Sequence, residues 1–147
     1  MIKSKYLQPV FTPERYRQVY DRLLPLVDAG KGRFQAIAFT GTSGAALGFP
    51  IALALGLPIL YVHKGSKRHM QARVEGKVDV ATYAIIDDFI ETGATLRRIN
   101  REIINACTHD PVCTHVFLYN EWANDEESPA IVHKTFPFAK LDRFRVE

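Results

Sequence analysis

Apolar residues recur along the chain in two alternating patterns, one typical of buried strands and one typical of helices that cover a sheet. Short apolar runs predict strands at residues 34–39, 58–64, 83–87 and 114–120. A first helix is predicted to begin with Thr12 as N-cap and Pro13 at its first position. Helical spacing predicts two more helices, one over residues 45–56 and one from about Thr95 onward.

This alternation of strands and helices predicts an α/β fold, with a parallel sheet covered by helices on both faces. The chain has 147 residues and fits a single domain over 1–147. Ligands of such sheets bind beyond the carboxyl ends of the strands. The loops predicted at that edge cover residues 40–44, 63–80 and 87–95.

Composition narrows the classes of function. Hydrophobic residues make up 47% of the chain and charged residues 24%, which predicts a folded core. A net charge of +3 is compatible with anionic small molecules but does not predict specific nucleic-acid binding. The longest apolar stretch, residues 45–62, is broken by glycine and proline, and no leader pattern is expected at the N-terminus. With only two cysteines, the expected location is the cytoplasm.

The stretch YAIIDDFIETGATL, residues 83–96, combines two kinds of chemistry. Asp87 and Asp88 end an apolar strand, and a loop of small residues follows at the start of a helix. Backbone amides at a helix N-terminus favour a phosphate, whereas two carboxylates favour the vicinal hydroxyls of a sugar or a metal bound to them. These residues therefore predict a ribose 5-phosphate site. A purely structural turn and a phosphoacceptor receiver domain remain the alternatives.

The same residues resemble a known motif. AIIDDFIETGATL, residues 84–96, is similar to the 5-phosphoribosyl-1-pyrophosphate (PRPP) signature of type I phosphoribosyltransferases. In that pattern an apolar run precedes two acids, two apolar residues, a variable residue and Thr-Gly-x-Thr. Two positions depart from it, because Glu91 stands where many members carry Ser, Thr or Ala, and Ala94 where glycine is frequent.

The resemblance implies a doubly wound parallel sheet, with a core over about 34–120 and a small hood from about 1–12 and 121–147. It implies transfer of ribose 5-phosphate from PRPP to a nucleobase with release of pyrophosphate, Mg²⁺ as cofactor, and a homodimer. Asp87 and Asp88 would orient the ribose and hold Mg²⁺, mostly indirectly through ribose hydroxyls or water. The residues implied for the 5-phosphate are Thr92, Gly93, Ala94 and Thr95.

The loop after the first predicted strand is implied to hold the pyrophosphate through hydroxyls and backbone amides. Its residues are Thr40, Gly41, Thr42, Ser43 and Gly44. The resemblance also predicts a non-proline cis peptide bond at Phe39–Thr40, or one residue away. Some family members carry Lys or Arg at the position of Thr40, and this chain lacks that charge.

A basic segment follows the second predicted strand. Its residues Lys64, Lys67 and His69 resemble the Lys-x-x-Lys-x-His loop of orotate phosphoribosyltransferases. In those enzymes the loop closes over pyrophosphate, so a catalytic role is implied for Lys67 and His69 and pyrophosphate binding for Lys64. The alternative is a solvated charged face.

The identity of the base depends on Glu91 and on the loop. In relatives that act on 6-oxopurines, an acid at the position of Glu91 is the proposed base that accepts a proton from the purine. This feature favours a purine, whereas the Lys-x-x-Lys-x-His loop favours orotate. Trp122 is a candidate for stacking on the base, with core packing as the alternative. A protein of the same fold that binds PRPP or a nucleotide as a regulatory signal, without turnover, is the second functional hypothesis.

Overall fold

A computed structural model describes residues 11–64, 73–122 and 124–146 of the chain. Within these ranges the α-helices are α1 (Pro13–Gly30), α2 (Gly41–Leu55), α3 (Ala94–Ala106) and α4 (Ser128–Thr135), and a short 3₁₀ helix covers Lys31–Arg33. The strands are β1 (Ala36–Thr40), β2 (Ile59–Val62), β3 (Val74–Gly76), β4 (Thr82–Asp87), β5 (Val112–Leu118) and β6 (Lys140–Arg143). None of the helices in these ranges is long and apolar enough to span a membrane.

The strands form one sheet in the order β3-β2-β1-β4-β5-β6. All neighbouring pairs are parallel except β2 and β3, which are antiparallel. The chain leaves β1 for β2 on one side, while β4 lies on the other side of β1 and is followed by β5 further out. The order of the strands therefore reverses between β1 and β4, where open α/β sheets form their ligand crevice.

Both faces of the sheet are covered, because alternate side chains of the strands point to opposite sides. The side chains of Ile37, Phe39 and Ile86 pack in one buried cluster with α1 and α2. The opposite cluster contains Ala38 and Ile85 together with α3 and α4. The predicted doubly wound α/β fold is confirmed.

Pairing along the central seam of the sheet stops early. β1 and β4 are in register from Ala36 opposite Tyr83 to Ala38 opposite Ile85. β1 stays paired with β2 as far as Thr40, which lies opposite Val62. β4 stays paired with β5 as far as Asp87, which lies opposite Leu118. The last two residues of each central strand therefore border a gap that opens at the carboxyl edge.

The structure also differs from the predicted elements. β3, α4 and β6 were not predicted from the sequence. β6 belongs to the segment assigned to the hood, and it forms an edge strand of the sheet. Residues 1–10, which make up most of the N-terminal part of that hood, lie outside the described ranges. The predicted start of the first helix is confirmed, because the hydroxyl of Thr12 accepts a hydrogen bond from the Arg15 amide at 3.4 Å.

Candidate active site

A polar cavity of about 260 Å³ lies at the reversal point between β1 and β4. Its wall is formed by the end of β1, the start of α2, the end of β4 and the turn into α3. The lining residues are Thr40, Ser43, Lys64 and the continuous stretch from Asp87 to Leu96. The structure therefore brings residues from two of the predicted loops together with Lys64, which lies near the start of the third.

The paired acids form the buried wall of this cavity. Asp87 is 7% exposed and Asp88 8%. The Oδ1 atom of Asp87 accepts hydrogen bonds from the Ser43 hydroxyl at 3.1 Å and from the Asp88 amide at 2.9 Å. Asp88 in turn accepts from the Phe89 amide at 2.8 Å. Burial, aided by the neighbouring charge of Asp88, raises the pKa of Asp87 to about 7.

The turn from Thr92 to Thr95 leads from the acids into α3. Gly93 has a φ of 85° and is the N-cap residue of α3. A Cβ at Gly93 would lie 2.6 Å from Cγ2 of Ile131, so both conformation and space favour glycine here. The Ala94 amide donates weakly to the Thr92 hydroxyl at 3.3 Å, and Gly93 offers no side-chain cap. The first turn of α3 therefore presents amides at the cavity.

The segment 40–44 is not a loop, because α2 begins at Gly41 directly after β1. None of the peptide bonds in the described part of the chain is cis, so the predicted cis bond at Phe39–Thr40 is wrong. Gly41 has a φ of 67°, and this conformation takes the chain directly from β1 into α2. Gly44 is buried, and a Cβ there would lie 2.9 Å from Cβ of Phe39, so it packs α2 on the sheet and does not line the cavity.

Two hydroxyl groups of this segment, those of Thr40 and Ser43, make hydrogen bonds within the protein. Thr40 is 2% exposed, and its hydroxyl donates to the carbonyl of Val62 at 2.6 Å. Ser43 donates to Asp87 as described above. Both hydroxyls therefore donate within the protein when no ligand is present, and their part in binding pyrophosphate stays a prediction. Thr40 also makes no side-chain cap for α2, so the backbone amides of the first turn of this helix have no partner from their N-cap residue.

Lys64 lies over the start of α2. A Cβ at Gly41 would be 2.8 Å from Nζ of Lys64, so the ammonium group is held close to the helix N-terminus. Gly41 and Thr42 line a neighbouring surface depression together with Lys64, outside the main cavity. The predicted catalytic residues Lys67 and His69 lie outside the described residues. Within the part of the basic segment that the structure describes, Lys64 lines the cavity.

The two candidates for contact with the base are placed differently. Glu91 is exposed and lines the cavity, next to the turn that carries Thr92. Trp122 is 48% exposed and is not among the cavity-lining residues. Its ring contacts the guanidinium group of Arg145 at 4.6 Å. Trp122 is therefore not packed in the core, and its role in binding a base stays a prediction.

Glu121 contacts the cavity wall through the amide of Ile90, and the sequence does not predict it. This side chain is only 4% exposed. Its Oε1 atom accepts from the Ile90 amide at 3.1 Å and from the Ser128 hydroxyl at 2.7 Å. Arg143 lies 3.7 Å from its other oxygen. Glu121 thus ties the turn between Asp88 and Glu91 to α4 and β6.

Replacement of Glu121 by alanine should destabilise the protein by about 3 kcal/mol, because it leaves the Ile90 amide without its acceptor and removes the counter-charge of the partly buried Arg143 guanidinium. Urea unfolding of both forms measures this free energy. Ser128→Ala is the matched control, since it removes one hydrogen bond to the same carboxylate and should cost only about 1 kcal/mol. Equal losses in the two variants would contradict the role of Glu121 as an anchor of the turn.

Comparison with solved structures shows which fold this is. Orotate phosphoribosyltransferase from Aeropyrum pernix matches with a TM-score of 0.65 at 17% identity, over 92% of this chain and 73% of the other. Adenine phosphoribosyltransferase from Saccharomyces cerevisiae matches with a TM-score of 0.67 at 17% identity, over 97% and 86%. The chain has the type I phosphoribosyltransferase fold.

A curated relative is found by sequence as well. Orotate phosphoribosyltransferase of Coxiella burnetii (strain RSA 493 / Nine Mile phase I) is 32% identical over 83 residues, which cover 55% of this chain and 40% of the relative. The match thus spans less than half the length of that curated relative. No family model matches the sequence. The phosphoribosyltransferase fold is thus shared with both orotate and adenine enzymes.

Proposed function

We propose that the protein is a phosphoribosyltransferase that transfers the ribose 5-phosphate of PRPP to a nucleobase, giving a nucleoside 5′-monophosphate and pyrophosphate. One observation carries this proposal. The first turn of α2, through Ser43, and the N-terminus of α3 border one cavity with the buried pair Asp87 and Asp88, and neither helix has a side-chain cap from its N-cap residue. Two anion-binding turns on either side of two acids suit a ligand with a phosphate, a diol and a diphosphate.

Each part of PRPP has a proposed binding partner. The amides of Thr92, Gly93, Ala94 and Thr95 would hold the 5-phosphate. The first turn of α2 and the ammonium group of Lys64 would hold the pyrophosphate. By resemblance, Lys67 and His69 would close over the same group. Such a closure would exclude water from the reacting carbon.

The acids suit a divalent cation that is shared with the substrate. Mg²⁺ is commonly bound by one or two carboxylates and takes its other oxygen ligands from water and substrate phosphates. Among the described residues no three His, Cys, Asp or Glu side chains gather to form a complete protein site. Asp87 and Asp88 fit the partial site that Mg²⁺ uses, mostly through ribose hydroxyls or water. When bound, Mg²⁺ would supply charge neutralisation for the departing pyrophosphate.

The proposed reaction breaks the bond between C1 of the ribose and the pyrophosphate oxygen, and forms a bond from C1 to a ring nitrogen of the base. Pyrophosphate leaves with the bonding electrons, so positive charge develops on the ribose. The carboxylates of Asp87 and Asp88 would stabilise that charge from the cavity wall. Glu91 would accept the proton that the base nitrogen loses.

A purine is slightly favoured as the base. Glu91 lies on the cavity wall next to the 5-phosphate turn, where it could accept a proton from a purine. The relation to orotate phosphoribosyltransferase and the basic segment after β2 support orotate as the other candidate. Trp122 is proposed as a weaker contact to the base. A homodimer and a cytoplasmic location belong to the same proposal.

A base panel tests this function. The protein is incubated with PRPP and Mg²⁺ and with adenine, guanine, hypoxanthine, xanthine, uracil or orotate, and both pyrophosphate and nucleotide are measured. We expect stoichiometric formation of the two products with one class of base. Binding of PRPP without product from any base would reject the enzyme in favour of a PRPP-binding regulatory protein. Absence of PRPP binding would reject both.

A further inference from the structure

Arg98 is a partly buried cation that reaches the edge of the candidate active site. It lies in the second turn of α3, and its Nη2 atom donates to the hydroxyl oxygen of Thr40 at 3.3 Å. Thr40 ends β1 and lines the cavity. The Nε atom of Arg98 is buried and has no hydrogen-bond partner. The side chain thus joins α3 to the point where β1 turns into α2.

No carboxylate pairs with Arg98 in residues 11–64, 73–122 or 124–146. The arginines nearby on the same helix are engaged otherwise. Arg97 donates to the carbonyl of Thr92 at 3.1 Å, and Arg101 pairs with Glu102 at 3.5 Å. Within those ranges the buried Nε of Arg98 has no hydrogen-bond partner and no carboxylate offsets its charge, so an anion bound close by would stabilise this side chain.

The hydrogen bonds of Thr40 show why the charge of Arg98 matters there. The hydroxyl hydrogen of Thr40 goes to the Val62 carbonyl, and its oxygen accepts from Arg98. This side chain therefore has no hydrogen left to offer an anion. Lys64 lies against the next residue, Gly41, so two cations flank the start of α2. Positive charge at that helix end adds to the potential of its uncapped amides.

We propose that Arg98 is part of the diphosphate-binding site, where its charge attracts the pyrophosphate group of the substrate and holds the β1–α2 turn through Thr40. Arg98 selects for a diphosphate at α2, and it is not required for the phosphate held at residues 92–95. This inference rests on the proposed function, because that function identifies the diphosphate as the pyrophosphate group of PRPP. It adds a residue from α3 to a site that the sequence assigned to the segments after β1 and β2.

Two probe ligands separate a local role from a structural one. Binding of inorganic pyrophosphate with Mg²⁺, and separately of ribose 5-phosphate, is measured by calorimetry on the full chain and on Arg98→Met. Methionine keeps much of the aliphatic length and removes the charge. Pyrophosphate binding is expected to weaken at least tenfold, whereas ribose 5-phosphate binding changes less than twofold. Arg101→Met, an exposed position on the same helix, is the control and should alter neither.

A second variant keeps the test decisive if methionine disturbs folding. Arg98→Lys retains the positive charge and should keep most of the pyrophosphate affinity, with an unchanged thermal midpoint. Equal loss of both ligands in Arg98→Met, or no loss of pyrophosphate, would overturn the inference. If pyrophosphate binding depends on Arg98 but no base is converted, the proposed function fails while this inference stands. If Arg98→Met turns over with an unchanged KM for PRPP and unchanged inhibition by pyrophosphate, the proposed function stands and the inference about Arg98 fails.

Discussion

Replacement of Asp88 by asparagine is expected to lower kcat for nucleotide formation by roughly 10²–10³-fold, with little change in the free energy of unfolding. Asp88 is 8% exposed and lines the cavity, so its negative charge acts in a medium that screens it weakly. Loss of one group that stabilises developing charge costs about 3–4 kcal/mol of transition-state energy in comparable sites. Initial rates at saturating PRPP and base measure the effect.

The matched control is Asp110→Asn, which changes an exposed acid outside the cavity. Its kcat and KM should equal those of the unmodified protein. Denaturant unfolding of both variants shows whether any loss of rate comes from loss of fold. Unchanged kinetics in Asp88→Asn would remove this residue from the active site.

Replacement of Asp87 by asparagine should make the stability of the ligand-free protein less dependent on pH. Burial raises the pKa of Asp87 to about 7 in the folded chain, whereas an unfolded aspartate has a pKa near 3.9. The folded state therefore binds a proton that the unfolded state has lost between these two values. This carboxyl thus makes its full contribution to stability below about pH 4, and that contribution is lost as the pH rises through about 7.

Asparagine cannot ionise, so the variant lacks this loss. Between pH 5 and pH 8 the difference in unfolding free energy should shift in favour of Asp87→Asn by about 2–3 kcal/mol. Urea unfolding with a chelator present, at both pH values, measures it without bound metal. An equal difference at the two pH values would show that Asp87 has an ordinary pKa. The expected gain in stability would accompany a loss of turnover, as at many functional sites.

The strands that could be predicted from the sequence are the four interior strands of the sheet. β1, β2, β4 and β5 carry nearly continuous apolar runs, because helices cover both faces of the sheet. β6 reads Lys-Leu-Asp-Arg and lies at an edge, so it has little apolar signal. β3 covers three residues and α4 eight, which is too short for periodicity to stand out. The sequence predicts that the helix after β1 begins at residue 45, because Gly41 and Gly44 resemble loop residues, whereas α2 begins at Gly41.

The residues of the candidate site also differ in whether the sequence alone predicts them. Asp87, Asp88 and residues 92–95 are adjacent along the chain, so their chemistry is visible in one stretch of sequence. Glu121 and Arg98 act on partners 31 and 58 positions away, and only the packed fold brings them together. An acid directly after the apolar strand at 114–120 was the one available signal for Glu121. The hydroxyl of Thr40 could not be assigned either, since its acceptor is a main-chain carbonyl of another strand.

The short central seam of the sheet has a mechanical consequence. β1 and β4 are paired only from Ala36 to Ala38 on the β1 side. The candidate site therefore lies where these two central strands are no longer hydrogen-bonded to each other. A ligand that binds the N-termini of both α2 and α3 would link the two sides of that gap. A ligand bound in this way would stabilise the folded chain, because it would bind the native state and not the unfolded one.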